Sequence, residues 1–556
     1  MERLKSSLVA ISAWRGRVNR AAVGKCGAHP SLWRPPHSVA PPIRKQGLCE
    51  AAILQRRGLH DWQRFIVSTV RKTGCRTQML FTDRIFFVLL AVTFGLYYIR
   101  RSADWQIAVL LAASLVFYAH SQPYLLILLA FSALLSTVTS YRVEQAQGAG
   151  PRRVWAIAGV AINLLVLAFF KYDRLFAATF LSSSPGGMLG TLLAIPLPVG
   201  ISFYVFHGIS LVVDVFRARA DGDSKSPLEQ GSSFLDHSKR TFFYLTFFPQ
   251  LIAGPIVKAK DFYPQMNGKA LRDIHWYGVA KALIIGFFLK SVVADNLAQQ
   301  TFVLQPPYCY SYSALNLAII LFAYSIQIFS DFAGYSLIAI GLARLFGYAL
   351  PDNFRFPYIA RSFSEFWTRW HMSLSAWLRD YVYYPLGGNR RGRRRTYVNL
   401  LLVMALGGLW HGAGWSYAVW GLWHGTALVI ERALRNTRFY LSNQSWVKVL
   451  RWALVFGVVT LGWVLFKLPD FAQVRELAAV FWHNRYMRFS FSVPFLIFIY
   501  SLPVVAYHAL YQFRSKPPRS LAFLWSMRAE GPALGAMLAS IVLQAGSPTP
   551  FIYFQF

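Results

Sequence analysis

The sequence predicts an all-α, polytopic membrane protein of about eleven transmembrane helices, with re-entrant or interfacial helices packed around an interior cavity. Three observations carry that prediction. Of 556 residues, 55% are hydrophobic and only 14% are charged, whereas a soluble domain covers its surface with about 25% charged residues. Aromatic residues make up 16%, which suits a chain with two membrane interfaces to line. From Met79 onward, apolar stretches recur with short polar breaks.

The first 78 residues stand apart. They hold 15 Lys/Arg against 3 Asp/Glu, about a third of the formal net charge of +34. Pro- and Arg-rich runs such as Arg34-Pro35-Pro36 interrupt them, and no apolar stretch is long enough to span a bilayer. A start assigned too far upstream is the preferred reading. A disordered basic tail on anionic lipid and an Arg-rich transit peptide are the others. Residues 79–556 are read as the membrane domain.

Within it the candidate spans, in order, are 84–99, 104–120, 123–141, 154–170, 191–216, 241–257, 276–294, 313–329, 333–350, 397–410, 415–431, 450–467, 491–512 and 531–546. Several are short or carry breakers such as Pro196-Leu197-Pro198 and Gly254-Pro255. Broken segments are tolerated at membrane depth only where protein satisfies the freed backbone groups, which reduces the expected count to about eleven.

Basic residues crowd two connectors, Arg390 to Arg395 and Arg432 to Arg451. Two candidate spans separate them, so both fit the cytoplasmic side of the membrane. The first cluster is also suited to holding a phosphate or a coenzyme. Nucleic-acid binding is disfavoured, because the basic residues outside 1–78 follow the connectors. Three of the four cysteines lie in the first 78 residues and no CxxC pair exists, which excludes a zinc knuckle or a redox pair.

Ionisable side chains inside a membrane are costly and mark function by default. The stretch 327–425 concentrates them. His411 ends an apolar run that begins near Tyr397, about 21 Å along a helix, between glycines and beside Trp410 and Trp415. An imidazole in a wet pocket there, reachable by both reactants, can take a proton from a hydroxyl and return it to a leaving group. A structural histidine bonded to a carbonyl is the alternative. His371 follows Phe363, Phe366, Trp367, Arg369 and Trp370 in what reads as an amphipathic helix. His424 and His207 read as packing histidines. Asp331 is either a buried carboxylate orienting a histidine or arginine, or a helix N-cap with Ser330. No G-x-S-x-G, P-loop, H-E-x-x-H or H-x4-D pair occurs. What remains is histidine-based proton transfer, with no metal. A transporter or passive conduit is the competing class; it predicts several acidic residues within spans, and Asp295 and Asp331 are few.

The order and spacing of several short strings resembles the membrane-bound O-acyltransferase family, in its bacterial alginate O-acetyltransferase branch, over essentially all of 79–556. These are Met79-Leu80-Phe81, the run from Pro198 to Phe203, and Phe248 to Pro255. The strongest are Phe329-Ser-Asp-Phe-Ala-Gly-Tyr335, Phe366-Trp-x-Arg-Trp-His371 and Leu409-Trp-His411, with 551–556 closing the set. The resemblance implies a ring of helices around a central funnel, with His411 the essential histidine and His371 the more variable second one. Trp370, Trp410, Asp331, Arg369 and Arg379 are expected to support them. The resemblance also implies acetyl transfer to an exported polysaccharide from a cytoplasmic thioester, plausibly acetyl-CoA, with no tightly bound cofactor. Partners would be periplasmic acetyl-relay proteins and membrane lipid. D-alanyl transfer to teichoic acid, or acetylation of peptidoglycan, are the alternatives within the class.

Overall fold

The computed structural model describes residues 79–180, 195–221, 233–252, 254–512 and 527–551. The basic segment 1–78, the start of the predicted span 191–216, Ala253 and the closing 552–556 lie outside the described residues. Among those described there are helices and turns and no strand.

The chain runs through α1 (Arg84–Ile99), α2 (Ala103–Ser121), α3 (Leu126–Gln145), α4 (Ala149–Phe180) and α5 (Ile201–Asp221). An amphipathic α6 (Phe234–Thr246) follows. Next comes α7 (Trp276–Phe287), continued by a π-turn at Phe288–Ala294 and by Asp295–Thr301, and then α8 (Ala314–Leu345). Two short helices, α9 (Phe363–Trp367) and α10 (Met372–Leu378), precede α11 (Gly392–His411) and α12 (Trp415–Leu434). The described chain ends with α13 (Ser445–Lys467), α14 (Phe471–His483), α15 (Ser492–Gln512) and α16 (Met527–Gln544).

Among the described residues, eight helices are long and apolar enough to cross a membrane, against the eleven or so expected. Three physical causes account for much of the difference. The predicted span 241–257 breaks, because Phe247 leaves the helical region and Pro249 and Pro255 follow. The predicted spans 313–329 and 333–350 are one helix, α8, so Ser330 and Asp331 are mid-helix residues and not an N-cap. A salt bridge from Lys290 satisfies Asp331, which removes the reason for the helix to stop there. Finally, α11 and α12 carry charged residues at their bases and fall short of spanning composition.

The spans divide into an inner and an outer set. In α5 and α8, 83% of the apolar window is buried within the protein, while in α13 and α15 only 28% and 22% are. An element whose apolar surface meets other helices all round is central; one that shows most of it outward faces lipid. The site is therefore built around α5, α8 and the α11–α12 hairpin.

Candidate active site

Two adjoining features set the position of His411. Helices α11 and α12 pack at backbone distance, since a Cβ added to Gly408 would lie 2.1 Å from the Tyr417 carbonyl oxygen, and one added to Gly421 2.1 Å from that of Met404. Only glycine permits that approach. Further, α11 ends at His411, and its last carbonyls need partners from outside the helix. Tyr172 on α4 donates to the Leu409 carbonyl at 2.7 Å, and Lys171 donates to the Trp410 carbonyl. Lys171 also donates to Ser202 on α5 and lies 5.6 Å from the Trp410 ring centre. A cation at a helix C-terminus is favoured by the helix dipole.

His371 is held differently. It does not lie within the amphipathic helix that the sequence predicts. The helix stops at Trp367, and His371 adopts a left-handed backbone (φ 42°) before α10 restarts. A bulky residue there is strained, and surrounding contacts must impose the conformation. They are visible. Met372 N–H donates to the Asn353 carbonyl at 2.9 Å, and the Ser373 hydroxyl donates to Asn353 Oδ1 at 2.6 Å. Asn353 in turn donates to Ser336 of α8 at 2.9 Å. The base of α12 adds a further tie, because the Glu431 carboxylate accepts from the first two backbone N–H groups of α9. One hairpin thus presents His411 at its tip and anchors the His371 loop at its base.

The two imidazoles meet, with ring centres 6.0 Å apart. Trp410 stands 5.7 Å from His371 and 5.1 Å from His411, while Trp420 and Phe466 face His411 at 5.2 and 5.5 Å. Trp370 supports this wall through Trp463, at 5.0 Å, and Phe366. In place of the expected wet surroundings, aromatic rings pack around both imidazoles among the described residues: His411 is 3% exposed and His371 fully buried.

The remaining candidates lie in other places. Asp331 accepts from Lys290 Nζ at 2.7 Å, beside Asp295. Arg369 pairs with Glu365 at 2.8 Å and lines a surface cleft of about 680 Å³ with Arg355, Arg361 and Tyr511. Arg379 pairs with Asp380 at 2.8 Å. Burial alone would raise the Asp380 carboxyl, but hydrogen bonds from Arg379 and Lys258 outweigh it and hold it below its ordinary value. His424 sits against Trp420 and Trp367, at 4.9 and 5.2 Å, and His207 accepts a bond from the Val257 N–H. Lys171 is the contact that sequence reasoning missed. A lysine directly after the apolar run 154–170 was its signal, but that run was taken to end one residue earlier.

The described fold is a helical membrane scaffold with two buried histidines on adjacent elements, side chains able in general to take up and return a proton. Residues 237–468 match the family model of the membrane-bound O-acyltransferases. The chain belongs to that family and is an O-acyltransferase. It is 35% identical to a probable alginate O-acetylase of Azotobacter vinelandii over 528 residues, 86% of this chain and all of that one. It is also 35% identical to a peptidoglycan O-acetyltransferase of Helicobacter pylori, over 65% of this chain and 71% of that one. It is 28% identical to a teichoic acid D-alanyltransferase of Bacillus subtilis, over 49% of this chain and 69% of that one.

Proposed function

We propose that the protein takes an acetyl group from a cytoplasmic thioester, acetyl-CoA or its equivalent, and passes it across a bacterial inner membrane toward hydroxyls of an exported, alginate-like polysaccharide. Periplasmic acetyl-relay proteins complete the path. The observation that carries this reading is the His371–His411 pair, 6.0 Å apart at the tip of a glycine-packed hairpin. Identity to the alginate acetylase along that protein's whole length supports the choice of polymer.

In the proposed step, His411 accepts the proton of an acceptor hydroxyl as its oxygen attacks the thioester carbonyl. His371 orients the acyl carbonyl. The carbon–sulfur bond then breaks, and the imidazolium returns its proton to the departing thiolate. General-base assistance of this kind contributes about 10²–10⁴ in rate, and confinement of both reactants adds to it.

The test replaces His411 with Ala in the full chain and measures acetyl content of the exported polysaccharide by mass spectrometry. Acetylation should be lost while the amount of protein in the membrane is unchanged. Full acetylation in the variant would remove His411 from the mechanism. The Helicobacter pylori relative motivates a second reading, acetylation of peptidoglycan. Loss of acetyl groups from muropeptides, with polysaccharide unaffected, would establish that reading instead.

A further inference from the structure

Among the described residues, neither ring nitrogen of His371 bonds to a protein atom. Ring packing holds it instead. The closest ring is Phe332 of α8, edge-on at 4.6 Å with planes at 90°. Phe332 lies one residue after Asp331, and it is packed by Phe354 at 5.0 Å and, from an unexpected direction, by Phe551. Phe551, in the segment that follows α16, has its ring 5.8 Å from Phe332 and 4.3 Å from Tyr335, and is fully buried.

A short irregular segment reaches such a place only if something holds it. Here a buried charge cluster does. Lys290 Nζ donates to Asp295 and Asp331, both at 2.7 Å, and to the Thr549 carbonyl at 2.9 Å. The Thr549 hydroxyl donates to Asp295 at 2.5 Å. The side chains of Lys290, Asp295 and Asp331 are 1%, 2% and 5% exposed. Upstream, Gly546 N–H donates to the Ser291 carbonyl at 2.8 Å, and Asn296 donates to the Gln544 carbonyl at 2.9 Å.

Burying three charges is expensive, and removal of one partner costs far more than the set contributes to stability. Such groups are therefore poor stabilisers but good determinants of a single arrangement. Lys290 also sits on the π-turn Phe288–Ala294, an irregularity frequent at functional sites. Gly334 lets the two helices close there, since a Cβ on it would lie 2.9 Å from the Lys290 nitrogen.

We propose that residues 545–551 form a strap that positions His371: the Lys290–Asp295–Asp331 cluster latches Thr549, Thr549 sets Phe551, and Phe551 presses Phe332 against the imidazole. Phe551 and Phe332 are positioning residues, acting through His371. This rests on the acyl-transfer function proposed above.

The experiment measures initial rates of acetyl transfer from acetyl-CoA to polysaccharide by the full chain in inside-out membrane vesicles that enclose periplasmic extract and polysaccharide, per mole of folded protein. Phe551→Ala should lower kcat about tenfold, in line with the sensitivity of catalysis to sub-ångström and ångström misplacement, with the KM for acetyl-CoA nearly unchanged. Phe551→Leu, which refills most of the volume, should recover most of the rate, and Thr549→Val should fall between. Phe332→Leu combined with Phe551→Ala should cost less than the two losses multiplied, because both act on one ring. If Phe551→Ala does not accumulate, Thr549→Val against Phe332→Leu provides the same cycle.

A Phe551→Ala protein with wild-type kcat, or a double variant whose losses multiply, overturns the strap alone. A wild-type chain that transfers nothing from acetyl-CoA overturns the donor proposed above and the strap with it.

Discussion

Lys171 is one of the few basic side chains buried at the heart of the molecule, and its hydrogen-bond partners explain why it is there. It donates to the Trp410 carbonyl, the residue just before His411, while Tyr172 beside it donates to Leu409. Methionine at 171 would keep the length of the stem and remove the donor. The Trp410 carbonyl and the Ser202 hydroxyl would both lose this partner, each such hydrogen bond contributing about 0.5–1.5 kcal/mol. Lys171→Met should therefore lower the thermal unfolding midpoint and reduce kcat for acetyl transfer. Tyr172→Phe removes a neutral bond, worth about 0.5–1.5 kcal/mol, and should show a smaller loss in both. A Lys171→Met enzyme with unaltered kcat would leave the lysine a structural role only. At this scale the sequence was partly legible. The histidines and tryptophans that meet were visible as ionisable and flat side chains between glycines. The left-handed His371 was not, because Asn353 and Ser336, far away in the chain, impose it.

The α11–α12 hairpin converts local packing into the position of a reactive group. Its helices touch at Gly408 and Gly421, and His411 lies three residues beyond the first of these contacts. Gly421→Ala would drive a methyl group into the Met404 carbonyl. Overpacking of this kind costs about 1–3 kcal/mol, and any tilt that relieves it displaces the hairpin tip. We expect Gly421→Ala to reduce acetyl transfer by about 10²-fold and to lower the unfolding midpoint. Gly457→Ala on α13 is the control, since no atom lies within 4 Å of the added Cβ. It should leave the rate unchanged and stabilise its helix by up to about 1 kcal/mol. Equal effects from the two substitutions would mean that the close crossing is irrelevant to catalysis. Most long helices were legible from apolar run length, including α1 to α3, α13 and α15. The failures share a cause. Run length is blind to partners and to local breaks, so it split α8 at Asp331, which Lys290 neutralises, and it joined 241–257, where the helix ends at Phe247 ahead of Pro249.

At the scale of the whole molecule, the arrangement of the basic connectors sets a topology that can be measured. Asn389 and Arg393 from the base of α11 line one cleft with Arg432, Arg435 and Asn436 from the base of α12, so both connectors open on the same face. Helix α13 begins at Ser445, near that face, and crosses with 23 residues, about 35 Å of helix, enough to span a hydrocarbon core of about 30 Å. The turn at Asn484–Tyr486 therefore lies on the opposite face. Charge asymmetry assigns the sides, because Arg390 to Arg395 with Arg432, Arg435, Arg438, Lys448 and Arg451 outnumber Arg475, Arg485 and Arg488. Such an excess retains its face in the cytoplasm. With the four native cysteines replaced by serine, single cysteines at Asn389 and Asn436 should react with a membrane-impermeant maleimide only in inside-out vesicles. A cysteine at Tyr486 should react in spheroplasts. The same pair of results places the opening beside α11 on the side where thioester donors are made, with the hairpin tip and its histidines directed toward the other side. If Asn389 and Asn436 report different faces, α11 and α12 cannot form the hairpin that brings His411 to His371, and the proposed path of the acetyl group fails with it.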